Sequence, residues 1–510
     1  MDLDTKMKKG AILLAALASS VVAIPAFPGA EGMGKEATGG RAGTHYLVTN
    51  LNDSGSGSLR DAVSQSNRIV TFAVGGTIKI SSRIVVASRV TILGQTAPGD
   101  GIATYGNGWS FSNAHQSIVR YIRIRMGKGG DSGKDAITIA DGDVMIFDHV
   151  SVSWGRDETF SINGAATNIT IQDSIIAQGL ETHSCGGLMQ TDGGISLFRN
   201  LYIDNKTRNP KVKGVNDFTN NVVYNWGGGG GYIAGDSDGQ SRANIVNNYF
   251  ISGPSTSVTA FTRGNANFQG YVKDNYYDPN QNGVLDGTIL GAASSNYGGM
   301  VIVTTRFNYP GPANLMTAPN ALTYVLANVG CSKVRDATDK KLVTEVQSWG
   351  KSGQLISDET ASPMSYSSSA LNGGTRWIDT DGDGIPDDAE IRMGTDPNRA
   401  DSMEDKDGNG LGQLAVVGLG FEPCDHYERD YHYVIEDDDY VFKDHYHVVE
   451  DNYQQQQDYD AGDDRYADGG DADPVGTMRG AFMDGPDALC PACDDVRVFE
   501  RLLLSVSVSV

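Results

Sequence analysis

Cysteine is scarce. The 510 residues hold five, and three of them (Cys424, Cys490 and Cys493) fall near the C-terminal end. A disulfide scaffold is thereby excluded, and stability has to come from packing. Cys185 and Cys331 are the one body pair that could join, and the sequence leaves that open. The lone Cys490-Pro-Ala-Cys493 lacks the second pair that a zinc site needs. Long helical periodicity is missing too, as is any apolar run of the roughly 20 residues that a membrane span requires. The run Ala11 to Ala23 is too short. With Met7-Lys8-Lys9 before it and small Val21 and Ala23 at its end, it predicts a secretory signal over residues 1–23, cleaved before Ile24. The acidic lead-in before Met7 does not suit such a signal, which makes Met7 an alternative start. Positive charge is in deficit, with a formal net charge of -23. That deficit is local. From Asp401 onward 27 acidic residues face 7 basic ones, while the rest of the chain holds 36 against 33. The body is almost neutral, so the whole-chain charge says nothing about its partners.

What is present is Val, Ile, Asn, Gly and Ser in short alternating runs. One pattern recurs: hydrophobic, any, Asx, any, hydrophobic. It centres on Asp148, Asp173, Asn200, Asn221, Asn248 and Asn275, with steps of 25, 27, 21, 27 and 27 residues. Short strands at such a period, without crossover helices, predict a solenoid of stacked coils with an Asx at one corner. An all-β sandwich with chance spacing is the alternative. Gly227 to Gly231 lacks the Lys-Ser/Thr of a phosphate loop and is read as a flexible loop. Beyond Leu285 one helix is expected, around Ala318 to Val329, outside the coils or capping them.

The sequence divides into a signal (1–23), a solenoid (24–370), a small module (371–411) and an acidic tail (412–510) in which no regular structure is expected. Four tail histidines, His426, His432, His445 and His447, are read as part of that solvated stretch. The module contains "DTDGDGIPDDAE", Asp379 to Glu390. It fits a twelve-residue, EF-hand-like calcium loop, with Asp379, Asp381, Asp383, Asp387 and Glu390 as oxygen ligands, the Ile385 carbonyl, and Gly384 at the sharp turn. "DKDGNG", Asp405 to Gly410, is a candidate partial copy.

The chemistry-bearing stretch of the body is "DNKTRNPKVKG", Asp204 to Gly214, which gathers Lys206, Arg208, Lys211 and Lys213. Pro210 breaks strand pairing and lets its neighbours project. Upstream lie Asp135 in "GKDAITIA" and Asp157 in "WGRDETFSI". Coils of a solenoid could bring these carboxylates beside the cations, an arrangement suited to calcium and a polyanionic chain such as a uronic acid polymer.

With these motifs, "AFPGAEGMG", "HYLVTNLNDSGSGSLRDAVS", "IFDHVSVSWGRDE" and Arg-x-Pro-x-x-Lys, residues from Ile24 to Met403 resemble the secreted fungal pectate lyases of polysaccharide lyase family 1. The resemblance implies a right-handed parallel β-helix, all-β in class. It implies that Arg208 is the catalytic arginine, that Lys213 is the motif's second basic residue at the substrate, and that Asp135 and Asp157 ligate Ca2+. The family's substrate-contacting lysine has no clear counterpart, and His183 is the substitute expected there, while Lys211 is expected to bind substrate by attracting the polymer. The family's usual third ligand position falls on Ser161. Asp148-His149 corresponds to a structural pair. The implied reaction is β-elimination in α-1,4-polygalacturonate, with removal of the C5 proton and a 4,5-unsaturated product. Three other readings stand beside it: a calcium-independent lyase of methyl-esterified pectin, a hydrolase on the same fold, and a non-catalytic, calcium-dependent polysaccharide binder. The partner expected is pectin or polygalacturonate, with no nucleic acid or membrane, and a monomeric, extracellular protein. Export gives meaning to three sequons. Asn52 and Asn168 are expected to carry glycans. Asn205, three residues before Arg208, is expected to carry none, since a sugar there would obstruct the groove.

Overall fold

A three-residue strand cannot cover its own apolar face, so coils built from such strands must stack and share one interior. The computed structural model describes residues 24–235, 239–404 and 412–414, and the backbone of 433–436 and 439–442. Its body is a parallel β-solenoid of about nine turns. A representative coil runs through Asp143–Asp148, Ser151–Ser153 and Phe160–Asn163, one strand on each of three faces. The next coil continues in register, with Phe147 beside Ile171 and Val152 beside Ile176. The first and third faces merge where Leu188–Phe198 and Lys211–Thr219 run across both, which gives one 17-stranded sheet. The second face is a separate 10-stranded sheet.

Like residues stack inside. Phe111, Phe147 and Phe160 meet edge to face at 5.0 Å between successive rings. The two ends of this interior are closed by apolar residues. Leu59, Ala62 and Val63 of the short helix Leu59–Val63 belong to the core, as do Tyr297 and Met300 at the far end. The corner between the first and second faces carries the expected asparagine ladder. Asn275, Asn248, Asn221 and Asn200 each accept, through the side-chain oxygen, a backbone N–H of the preceding coil at 2.8–3.0 Å. These bonds satisfy turn groups that would otherwise be buried unpaired. The last rung receives Ser174, not Asp173. Asp148 is likewise off the ladder, since it pairs with Arg120 and Gln172 along the first face. The repeat is real, but its first two members, Asp148 and Asp173, stand two and one positions before the ladder position.

The helix Ala318–Asn328 forms as expected, with Thr317 capping it. A second helix, Ala337–Val346, was not foreseen. Both cover the second face, where Leu322, Val325, Leu342 and Val346 bury Ile175, Leu201 and Val222. The module beyond 371 sits against the first coils. Ile385 is fully buried in a cluster with Ile69, Leu93 and Ile118. Gly384 has φ +97°, and a Cβ there would lie 2.4 Å from the His45 ring. Only glycine permits that approach.

In the tail, Tyr433–Glu436 and Asp439–Phe442 form an antiparallel pair, regular structure where none was expected. The rest of the tail beyond Leu414, with its cysteines and histidines, lies outside the described residues, as do the signal at 1–23 and the partial loop Asp405 to Gly410. Cys185 and Cys331 are both buried and free, so the pairing left open by the sequence does not form.

Candidate active site

Every residue singled out around the cationic stretch, except the three that lie within strands, falls on one corner, the connection from the second face to the third. Asp135 lies in the connection before Ile137–Ala140, Asp157 and Glu158 before Phe160–Asn163, His183 before Leu188–Phe198, and Arg208 before Lys211–Thr219. The corner is itself laddered. Glu158, Cys185 and Thr207 bridge in parallel from coil to coil, and the Gly187 N–H donates to the Arg208 carbonyl at 2.7 Å. Sequence distances of 23 to 50 residues thus collapse into coils one or two apart.

Asp135, Asp157 and Glu158 bring carboxylate oxygens within 4.8 Å of one another. Asp135 is fixed from several sides. It accepts from Thr138 Oγ1 at 2.7 Å and from the Glu158 N–H at 3.1 Å. Arg83 donates to its carbonyl at 2.8 Å and to Thr138 Oγ1 at 2.9 Å. Burial, and then the charge of Asp157, push the Asp135 carboxyl up to about 6. Three carboxylates so close repel one another unless a proton or a cation joins them. All the donors are hard oxygens, which suits calcium. The same negative field, after burial, pushes the Cys185 thiol up to about 12 and leaves it inert.

The cationic side of the corner is Arg208. Its backbone has φ +58°, and its guanidinium contacts the Glu158 carboxylate, which is only 4% exposed. The turn holding it is locked by two buried amides. Asn205 accepts from the Gly179 N–H and donates to the Ile176 carbonyl and to Asn209, while Asn209 donates back to the Asn205 carbonyl. Beneath it, Gly231 accepts from the Asn209 N–H at 2.8 Å, and a Cβ on Gly229 would lie 2.3 Å from Thr207. The five-glycine stretch is therefore a closely packed support, not the flexible loop expected. His183 Nδ1 lies 2.5 Å from Asp157 Oδ1, and the ring is half exposed. Lys206 pairs with Glu181 at 3.0 Å. Lys211 and Lys213 alternate with buried Val212 and Gly214, so both stand on the outer side of the third face. Ser161 is elsewhere: it pairs with Thr138 inside Phe160–Asn163 and is 2% exposed. The third carboxylate of the corner is Glu158. Sequence reasoning missed it because Asp157 beside it already filled the acidic position.

Similar proteins give the chain a family. The chain is 72% identical over 393 residues to "Probable pectate lyase C" of Neosartorya fischeri and of Aspergillus fumigatus, covering 77% of this chain and 93% of each relative. It is 68% identical over 412 residues to that of Emericella nidulans. The chain belongs to the pectate lyases. It is a polysaccharide lyase, of a family that generally needs calcium and is typically secreted. Among the described residues of this lyase, no helix is long and apolar enough to cross a membrane. Solved pectate lyases also match, among them one from Bacillus sp. N165 in complex with trigalacturonate (19% identity, 60% of this chain and 99% of that one, TM-score 0.43). Another is a pectate lyase bound to hexasaccharide (13% identity, 62% and 100%, TM-score 0.44).

A family model, the bacterial TSP3 repeat, matches residues 379–400 of the lyase. TSP3 repeats are calcium-binding motifs, so the match is to that repeat and not to an EF-hand. The geometry agrees, because the chain enters Asp379 from a segment, 372–378, with neither helix nor strand. Asp379, Asp381 and Asp383 form one carboxylate cluster, and Asp383, Glu390 and Asp401 form another. Asp387 joins neither; it accepts from the Thr380 N–H and hydroxyl at 2.7 and 2.6 Å. Asp401, beyond the twelve-residue window, takes a place the sequence reading gave to Asp387. Asp381 Oδ2 and Glu390 Oε2 are buried without a hydrogen-bond donor. Burial, then Asp381, Asp383 and Asp401, push Glu390 up to about 7. Buried carboxylate oxygens left without donors fit a hard cation.

Asp148, His149 and Asp173 make a further cluster, but basic partners saturate it. Arg120 donates to Asp148 at 2.8 Å, and Arg199 grips Asp173 at 2.8 and 2.9 Å. Burial opposes the charge on Asp148, yet His149 and Arg120 hold its carboxyl well below the usual range. The geometry is that of a structural network.

Proposed function

We propose that this lyase cleaves α-1,4-polygalacturonate by β-elimination at the corner built from Asp135, Asp157, Glu158 and Arg208. The observation that carries the reading is the contact of Arg208, across two coils, with a buried member of a three-carboxylate cluster. Asp135, Asp157 and Glu158 would hold calcium. When bound, calcium supplies positive charge beside the substrate carboxylate and lowers the cost of the enolate-like charge that develops at C5. Arg208 takes the C5 proton, the C5–H electron pair becomes the C4=C5 bond, and the C4–O bond breaks, with the departing oxygen protonated by solvent. A charged guanidinium has no acceptor, so abstraction requires the Arg208–Glu158 pair to open and the side chain to release a proton to solvent beforehand. Lys211 and Lys213, on the outer face beside the corner, attract the polyanion. His183 lies where it can meet substrate at Asp157.

Calcium in the TSP3 repeat would be held by Asp379, Asp381, Asp383, the Ile385 carbonyl, Glu390 and Asp401. Export is supported by the signal-like N-terminus and by the exposure of Asn52 and Asn168. Asn205 is fully buried, which leaves no space for a glycan beneath Arg208. The deciding experiment is turnover of polygalacturonate by Arg208→Ala and Arg208→Lys, read as ultraviolet absorbance of the unsaturated product. Loss in both is expected, and rates near the parent's would overturn the assignment.

A further inference from the structure

Four of the five tryptophans are wholly or partly buried; the fifth, Trp377, exposes 59% of its surface. It stands on the segment that leads into the TSP3 repeat, at the edge of a cleft of about 320 Å³ between that repeat and the first coils. Phe72, Gln95, Arg376, Arg392, Asp379 and Asp388 line the same cleft. Phe72 ends a first-face strand, and Gln95 lies in the connection from the first face to the second. The catalytic corner joins the second face to the third, so this cleft is a different place on the solenoid.

An indole left in water forgoes the gain of burying it, and nothing in the fold requires that exposure. Around it the charge is mixed but directional. Arg376 spends one nitrogen on Asp379, 3.0 Å away, and remains 42% exposed. Arg392 uses one on Asp388 at 2.9 Å and remains 39% exposed; Asp388 is itself 61% exposed, and its charge is met by that arginine. A guanidinium has five N–H donors, so each keeps donors for an incoming carboxylate. The Asp379 carboxylate also lines the cleft, but it is only 6% exposed and is occupied by the Gly382 and Gly384 N–H groups, so it presents little charge to an incoming anion. An apolar ring flanked by guanidiniums offers a platform for a sugar face and forks for its carboxylate.

We infer that this cleft is an accessory polyuronate-binding site, in which Trp377 stacks on a galacturonate ring and Arg376 and Arg392 take carboxylates of the same chain. The inference rests on the lyase's substrate class and not on the role of Arg208. A second attachment on one polymer raises the effective concentration of the rest of it at the catalytic corner, so the site acts on long chains.

The test uses full-length Arg208→Ala protein, so that polymer survives the assay; product absorbance is read on the same samples, and turnover there would revise Arg208 without touching the cleft. Acrylamide quenching of tryptophan fluorescence reports the exposed indole. Trigalacturonate should shield it, and unchanged quenching at saturation overturns the proposal. Adding Trp377→Ala should weaken retention on insoluble polygalacturonate about tenfold, while Trp377→Phe keeps most of it. Equal retention by all three proteins overturns the proposal, as does equal retention on polyglutamate, which would reduce the cleft to a general anion surface. The quenching arm needs no substitution in the cleft and so is immune to misfolding there.

Discussion

The corner cluster of Asp135, Asp157 and Glu158 faces a cation, Arg208, that arrives from two coils further on. The loop cluster of Asp383, Glu390 and Asp401 sits inside a small module, with Arg399 reaching Asp401 only from the surface, itself 57% exposed. Both clusters put three carboxylates within 4.8 Å. The corner balances its charge with Arg208, whose side chain is 27% exposed. The loop buries carboxylate oxygens that have no donor and packs its own Ile385 into the solenoid. On the proposed reading the first exchanges partners and the second stays closed, so a cation at the corner belongs to turnover and one in the loop to stability.

The largest expected effect breaks the corner alone. Asp135→Asn or Glu158→Gln should cut turnover by about 10²-fold or more at fixed calcium, with melting shifted by only about 2 °C. Kinetics and calorimetry on the same preparations check this. Melting that collapses with activity would make the corner carboxylates structural and erase the contrast.

Asp383→Asn should do the reverse. The Asp383 carboxylate accepts from the Ile385, Asp401 and Ser402 N–H groups, and it belongs to both loop clusters. An amide in its place turns an acceptor into a donor against buried N–H groups, at a cost of about 2 kcal/mol. The loss should appear in calcium-saturated melting and shrink in chelator. A variant that melts like the parent but turns over far more slowly would move the loop into catalysis.

How much of this could be read from the residues depends on how local each feature is. The solenoid was legible because Asn200, Asn221, Asn248 and Asn275 recur at corner spacing and each serves the coil before it. Asp148 and Asp173 fitted the same pattern by composition, and only strand register shows that they stand elsewhere. Asp135 and Arg208 were legible as motifs. Glu158 was not, because its importance comes from a guanidinium 50 residues away, brought to it by coil register. Asp401 was invisible for the opposite reason: a twelve-residue template ends at Glu390, and the chain folds back to supply one more oxygen. The glycines at 227–231 read as freedom, whereas their lack of side chains lets coils close up beneath Arg208.

A pH series sharpens the comparison at intermediate size. Without calcium, Glu390 is pushed up to about 7, by burial first and then by Asp381, Asp383 and Asp401, from 4.5. The folded state therefore holds that proton more tightly than the unfolded chain. The stability it confers is full below about 4.5 and is lost as pH rises through about 7. Metal-free protein should melt progressively lower across that window. Glu390→Gln should flatten the slope, and saturating calcium should flatten it too. A slope that survives Glu390→Gln would place the titration elsewhere, with Asp135, pushed up to about 6, as the next group to test.

The smallest effects come from the sequons, and they test which surfaces are free. Asn52 and Asn168 are exposed, and Asn168 lies in a first-face strand, away from the corner that holds Arg208. Asn52→Gln and Asn168→Gln should each remove one glycan mass and change stability by less than about 0.5 kcal/mol. Asn205 makes three side-chain hydrogen bonds in the turn under Arg208. Mass spectrometry should find it bare, since a sugar would have to replace those bonds and lift the arginine off Glu158. Intact, active protein carrying sugar at Asn205 would mean that the turn opens during maturation, and the corner would then be less rigid than the loop to which it is compared.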